Sequence, residues 1–227
     1  MKWLCNSGAP SAAAPLAGSL TSLLPRGVAV AEVCDSRRVD LAMDEAAPPC
    51  TPADRRSRDF ARGRACARRA LENLGVRATS IPRGPRGEPQ WPAGIVGTIT
   101  HTDDFVAAAV APRSLLRGIG IDAERQDGMT DDVLDVIATR DEREWIRAAG
   151  AAMPWALLLF SAKESVFKAC FDAVGWFDFQ EARVDLDPKE RSFRAVVRVA
   201  RSTTDCVVDG RFHVSATHVL TAAVLVP

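Results

Sequence analysis

Tyrosine is absent from this 227-residue chain, so every aromatic position is filled by Phe, Trp or His. Excess charge is absent too, because 29 Lys and Arg balance 29 Asp and Glu. Without a global field, composition gives no argument for nucleic acid or an anionic membrane as a partner. Any basic site has to be local, as in the run from Arg55 to Arg69. There is no CxxC pair and no Cys/His run at zinc spacing. The cysteines at 5, 34, 50, 66, 170 and 206 are scattered and read as reduced thiols in a cytoplasm. No segment approaches the roughly twenty apolar residues that would cross a bilayer. Ala9 to Leu24 is rich in Ala, Ser and Leu, but Pro10, Pro15 and Gly18 interrupt it. That pattern predicts a short amphipathic helix before Pro25 rather than a secretory leader.

What is present is enough apolar material, 47% of residues, to pack one large domain or two small ones. Val28 to Val33 reads as a buried strand, followed by a loop holding Pro48, Pro49 and Pro52. Thr51 as a cap, Pro52 in the first turn, Asp54 completing a capping box and Gly75 as a stop predict a long helix ending at Leu74. Phe60, Ala67, Leu71 and Leu74 form its inward stripe and leave most of the arginines outside. After the Gly/Pro-rich loop from Pro82 to Pro89 come three predicted strands, Val96 to Thr100, Phe105 to Ala111 and Gly118 to Glu124. The second half repeats the plan, with helices at Asp141 to Ala149 and Pro154 to Val174. Strands follow at Phe179 to Leu186, Phe193 to Ala200, Cys206 to Ser215 and His218 to Val226. The expected fold is therefore α+β, in two similar lobes over 1–112 and 113–227, each a small, mostly antiparallel sheet packed on a long helix. A cleft between the lobes is the natural ligand site.

Two acidic motifs carry chemistry. In a strand, Ile119, Ile121 and Ala123 would face a core while Asp122 and Glu124 share the other face, with Gly120 leaving space beside them for a ligand. Forty residues on, Glu164 and Lys168 stack one turn apart on a helix, off the apolar stripe of Trp155, Leu158, Leu159, Ala162, Val166, Ala169, Cys170 and Ala173. Alone, each motif is ordinary, since a Glu/Lys pair at this spacing decorates most solvent-facing helices. Together they match a Mg2+ site for phosphate chemistry.

Five stretches in order carry a more specific signal: Arg55 to Arg68, Arg83 to Pro92, Val96 to His101, Gly118 to Glu124 and Phe160 to Lys168. By these the chain resembles the Sfp-type 4'-phosphopantetheinyl transferases, in the enterobactin synthetase component D-like group, over about residues 20 to 226. The resemblance implies that family's superfamily fold, a monomer, and transfer of 4'-phosphopantetheine from coenzyme A to a serine of an apo acyl or peptidyl carrier protein. Adenosine 3',5'-bisphosphate would leave, and the pathways served would be polyketide, nonribosomal peptide (siderophore-type) or fatty-acid synthesis. Asp122, Glu124 and Glu164 would supply hard oxygen ligands for Mg2+, with Mn2+ as a substitute. Glu164 would also be the base for the carrier hydroxyl, directly or through water. Lys168 would donate to the pyrophosphate, with Lys163 as a second donor. Arg56 and Arg64 match the positions that hold the 3'-phosphate, although eight residues put them about 12 Å apart along a helix. Arg83, where relatives often have lysine, Arg86 and His101 complete the nucleotide contacts. Thr98, Thr102 and Phe167 depart from common family forms. Phe167 stands where tyrosine is frequent, and the packing of an aromatic ring would survive the change. His213 and His218 read as structural.

Two other readings use the same residues. A metal-dependent phosphodiesterase would need no protein acceptor, and a non-catalytic coenzyme A and Mg2+ binding protein would show no transfer. Met129 to Ala152 is the candidate carrier-facing segment, though plain amphipathic packing fits it equally well.

Overall fold

The computed structural model describes residues 20–34, 55–77, 80–127, 132–200 and 205–227, the side chains of 55–58 and 132 excepted. The expected caps at Thr51, Pro52 and Asp54, the loop prolines 48 and 49, Met129 and most of the Ala9 to Leu24 segment lie outside these residues. What is described of that segment is a 3-10 turn, Leu20–Leu23, with both leucines buried.

A three-stranded antiparallel sheet has the order β1 (Ala29–Cys34), β3 (Phe105–Pro112), β2 (Ile95–His101). A five-stranded antiparallel sheet runs β4 (Gly118–Arg125), β8 (His218–Leu225), β7 (Cys206–Val214), β6 (Ser192–Val197), β5 (Ala182–Asp187). One long helix covers each sheet: α1 (Arg55–Asn73) lies on the first and α4 (Trp155–Val174) on the second. Alternation along β3 explains the layering. Val106, Ala108 and Val110 face Cys66, Ala67, Ala70 and Leu71 of α1, whereas Phe105, Ala107, Ala109 and Ala111 meet Ile119, Ile121 and Ala123 of β4. The layers therefore run α1, small sheet, large sheet, α4, an α+β fold whose two sheets each rest on a helix. The expected strand at Phe179 to Leu186 is divided. Asp178 and Glu181 form a capping box around a 3-10 turn, Phe179–Glu181, and the strand proper starts at Ala182.

Two further helices, α2 (Asp132–Ile137) and α3 (Arg140–Ala149), lie between β4 and α4 in the chain. Ile137 and Ala138 are buried in the α4 core and Val133, Leu134 and Ile146 pack against it, while Val136 and Trp145 stay exposed. Thr139 caps α3 with a full capping box to Glu142.

The join between the sheets matters most for the site. β2 and β4 pack against each other with threonine hydroxyls as the stitches. The Ile121 amide donates to Thr98 Oγ1 and the Ala123 amide to Thr100 Oγ1, each at 3.2 Å. The opposite face of β4 is pressed against α4. A Cβ on Gly118 would overlap the carbonyl oxygen of Ala169, and one on Gly120 would overlap that of Ser165. Gly120 therefore does not leave ligand space beside the carboxylates, as the strand pattern suggested. The space is filled by the helix backbone, which can approach this closely only because no side chain intervenes.

Candidate active site

Where β4 crosses α4, the chain brings Asp122, Glu124, Glu164 and Lys168 together. Asp122 is 4% exposed. Its Oδ1 accepts from Lys168 Nζ at 2.7 Å, with Thr100 Oγ1 at 3.5 Å, while its Oδ2 is buried without a hydrogen-bond partner. Lys168 Nζ also donates to the Ile121 carbonyl at 3.1 Å, so one ammonium pins α4 to the strand at the acidic position. Burial, reinforced by the charges of Asp122 and Glu164, pushes the Glu124 carboxyl up to about 7, although Lys168 pulls the other way. Burial likewise raises Glu164, with Lys168 opposing and Asp122 adding to the rise. Glu124 thus feels the charges of Asp122 and Glu164, and Glu164 that of Asp122. Among the described residues, however, no group of three or more is closed into a ligand cage; one ammonium sits where a cation would neutralise them.

A divalent ion fits what this donor set lacks. The orphaned Asp122 oxygen and two carboxyl groups whose charged forms are penalised all want positive charge, and all three residues offer hard oxygen.

His101 ends β2. Alternation turns its ring to the α1 face of the strand, opposite the Thr98 and Thr100 hydroxyls that meet β4, so the structure does not bring it beside the carboxylates. Its ring is exposed, with Nε2 3.8 Å from Asp59 of α1. Asp59 is a neighbour that the sequence reading did not single out. Arg83 and Arg86 are exposed on the loop before β2, where Arg83 and Pro89 form an isolated bridge. Gly87 takes a positive φ of 94° in that loop, and the Arg86 guanidinium stands 5.8 Å from the Phe171 ring of α4. The loop thus reaches the same helix that carries Glu164. Arg56 lies in the first turn of α1, where its side chain is not described.

Two expected ligands sit differently from the sequence expectation. Arg64 is buried: its Nε donates to the Ile81 carbonyl at 2.8 Å and its guanidinium lies 4.6 Å from the Phe60 ring. It ties the base of the Arg83 loop to α1, so the arginines of that helix are not all turned outward. Lys163 is a clear correction. It has no exposed surface, and its ammonium donates to the carbonyls of Ile137, Phe179 and Ala182 at 2.7–2.9 Å and pairs with Glu142 at 2.8 Å. Five helical positions separate it from Lys168, about 140° around the axis, so the two cannot serve one phosphate. Burial lowers the Lys163 pKa, with Glu142 opposing. Glu142 itself went unremarked in the sequence, yet Thr139-x-x-Glu142 is a legible capping-box pattern.

Of the remaining family departures, Thr98 is a stitch to β4. Thr102 closes the following turn, accepting from the Phe105 amide and bonding Asp104. Phe167 packs among Phe171, Trp176 and Phe177 at ring separations of 5.2–5.6 Å. His218 is buried and bonded to Asp104 and Thr217, in keeping with a structural histidine. A separate hollow of about 620 Å³ between Ser22 to Pro25 and the strands β5 to β8 is lined by none of the candidate site residues. No helix among the described residues is long and apolar enough to cross a membrane.

The same residues fall within two family models. That for the 4'-phosphopantetheinyl transferase N-terminal domain matches residues 45–111, and that for the 4'-phosphopantetheinyl transferase superfamily matches 118–223. The chain is 35% identical to the 4'-phosphopantetheinyl transferase Npt of Nocardia iowensis, over 89% of this chain and 98% of Npt. To Svp of Streptomyces mobaraensis it is 42% identical, over 67% of this chain and 63% of Svp. To PptT of Mycobacterium tuberculosis it is 36% identical, over 75% of this chain and 80% of PptT. Both of these relatives are also named as 4'-phosphopantetheinyl transferases.

Proposed function

Because this chain belongs to the 4'-phosphopantetheinyl transferase superfamily, we propose that the β4–α4 crossing is where it moves phosphopantetheine from coenzyme A to a carrier-protein serine, with Asp122, Glu124 and Glu164 holding Mg2+. The observation that carries the assignment is the meeting of these carboxylates with Lys168 around a buried, unpartnered Asp122 oxygen. When bound, the ion would offset charge on the pyrophosphate oxygens and on the departing nucleotide.

The chain's own groups account for the rest. The serine oxygen attacks the phosphorus that bears the pantetheine arm, the bond to the bridging pyrophosphate oxygen breaks, and adenosine 3',5'-bisphosphate leaves. Glu164 is the acceptor for the serine proton, because a carboxyl raised by burial is a stronger base than one in water. Lys168 holds Asp122 in place and would donate to the charge developing on the leaving oxygen. Arg83, Arg86 and His101 would contact the nucleotide phosphates, and Arg56 would take the 3'-phosphate. Arg64 acts through the loop it anchors at Ile81. The substrates proposed are carriers of polyketide, nonribosomal peptide or fatty-acid assembly, met by a monomer in the cytoplasm. The exposed Val136 and Trp145 of the α2–α3 segment are the proposed carrier-facing residues.

Chromatography of the nucleotide products tests the reading. Adenosine 3',5'-bisphosphate should accumulate only when coenzyme A, Mg2+ and an apo carrier are all present. Its appearance without a carrier would point to a phosphodiesterase instead.

A further inference from the structure

One feature of α4 lies outside the phosphate chemistry. Cys170, two residues beyond Lys168, faces Cys206 at the start of β7, and their sulfur atoms are 3.2 Å apart. Thirty-six positions separate them in sequence, which is why no motif announces the pair. Both are free thiols. They are unequal. Cys170 is wholly enclosed at 0% exposure, whereas Cys206 keeps 8% at the strand end. The hydrogen bond from Cys170 lowers the Cys206 thiol to about 7 against the opposing effect of burial, and the Arg117 guanidinium adds to the fall. The same hydrogen bond and burial raise Cys170. One sulfur is thus set up as a nucleophile and the other as the group that resolves it. Cys66 offers the contrast: it is buried, its thiol is pushed up to about 11 by that burial, and its sulfur faces only the Val106 carbonyl.

We propose that Cys170 and Cys206 are a redox pair that a hydroperoxide closes into a disulfide, tying the helix that carries Glu164 and Lys168 to β7. The Cys206 thiolate attacks the peroxide oxygen, giving a sulfenic acid and releasing hydroxide or alkoxide. The Cys170 sulfur then displaces hydroxide from the Cys206 sulfur, and the Cys170 proton leaves with it as water. Two thiols lose two electrons and the peroxide gains them, ending as water and its alcohol, or as two waters. A disulfide bond is about 2.05 Å long, so closure asks the sulfurs to approach by roughly 1 Å.

The test is peptide mapping of the reduced, full-length protein after stoichiometric hydrogen peroxide, with thiols blocked under denaturing conditions and digestion without reductant. We expect a peptide joined through Cys170 and Cys206, two fewer blocked thiols, reversal by dithiothreitol and unchanged blocking of Cys66. The link should form at least about ten times faster in the folded protein than in guanidinium-unfolded protein, because the fold supplies the proximity. Cys206→Ser should abolish it; if that variant does not fold, the wild-type map and the comparison of rates decide alone. Full blocking of both cysteines after oxidation, a Cys206 sulfinic acid beside a free Cys170, or equal rates folded and unfolded would each overturn the pair.

Discussion

Glu164 meets two demands that pull apart, since a carboxylate bound to a cation is a poorer base than a free one. Replacing it by Gln keeps shape and hydrogen bonding while removing both roles, so transfer should fall by about a hundredfold or more, with the fold intact by circular dichroism. Transfer at the wild-type rate would remove Glu164 from the reaction. Glu124 gives a pH signature. Its folded-state pKa, pushed up to about 7, lies above its ordinary value of 4.5. Between those two pH values the folded protein holds more proton than the unfolded chain, so the Glu124 contribution is fully present below the lower value and is lost as pH rises through 7. In EDTA, the thermal midpoint should therefore decline from pH 5 to 7, and Glu124→Gln should flatten the decline. Mg2+ has to displace the same proton, so its affinity should weaken as pH falls below 7, as calorimetry can read. Arg56→Ala should raise the dissociation constant for coenzyme A by about tenfold or more through the loss of a charge-assisted contact, with little effect on turnover. The residue types of the acidic motifs and their strand and helix spacing were legible from the sequence. The partnerless Asp122 oxygen and the thiol pair were not, because each depends on which side chains from distant segments arrive at one point.

At the scale of elements, α4 is positioned by two devices that bracket its chemistry. On one side Gly118 and Gly120 let its backbone press on β4. Gly120→Ala should push the helix off the strand and cost about 1–3 kcal/mol in denaturant unfolding, since the obstacle is backbone carbonyl and not a movable side chain. On the other side, Lys163 gathers Ile137, Glu142, Phe179 and Ala182 around one enclosed ammonium. Lys163→Ala leaves the Glu142 charge buried without its partner and should cost about 3–5 kcal/mol. A variant as stable as wild type would return Lys163 to the list of ligands. The sequence reading took Lys163 as a second phosphate donor, although five helical positions set it about 140° from Lys168, and helix spacing could not show that its own face would be enclosed. Strand alternation in β4 correctly assigned its two faces. What it missed was that a helix, and not a ligand, fills the gap at Gly120.

For the molecule as a whole, two sheets of different size are stitched together along β2 and β4 by Thr98 and Thr100. The expected lobes were nearly equal. The sheets are unequal, three strands against five, while Asp122 and Glu124 share a sheet with the C-terminal strands, the grouping expected for 113–227, and His101 belongs to the smaller sheet. The residues proposed to contact phosphate and the carboxylates proposed to hold the ion therefore come from different sheets, as the proposed function would need for a substrate with a nucleotide at one end and a reacting phosphate at the other. Intact-mass spectrometry of an apo carrier protein incubated with this protein, coenzyme A and Mg2+ tests that account most directly, with an EDTA control and a carrier lacking its acceptor serine. The account predicts a gain of one phosphopantetheine that needs both the metal and the serine. No gain on any of several carriers, despite measurable coenzyme A binding, would contradict it.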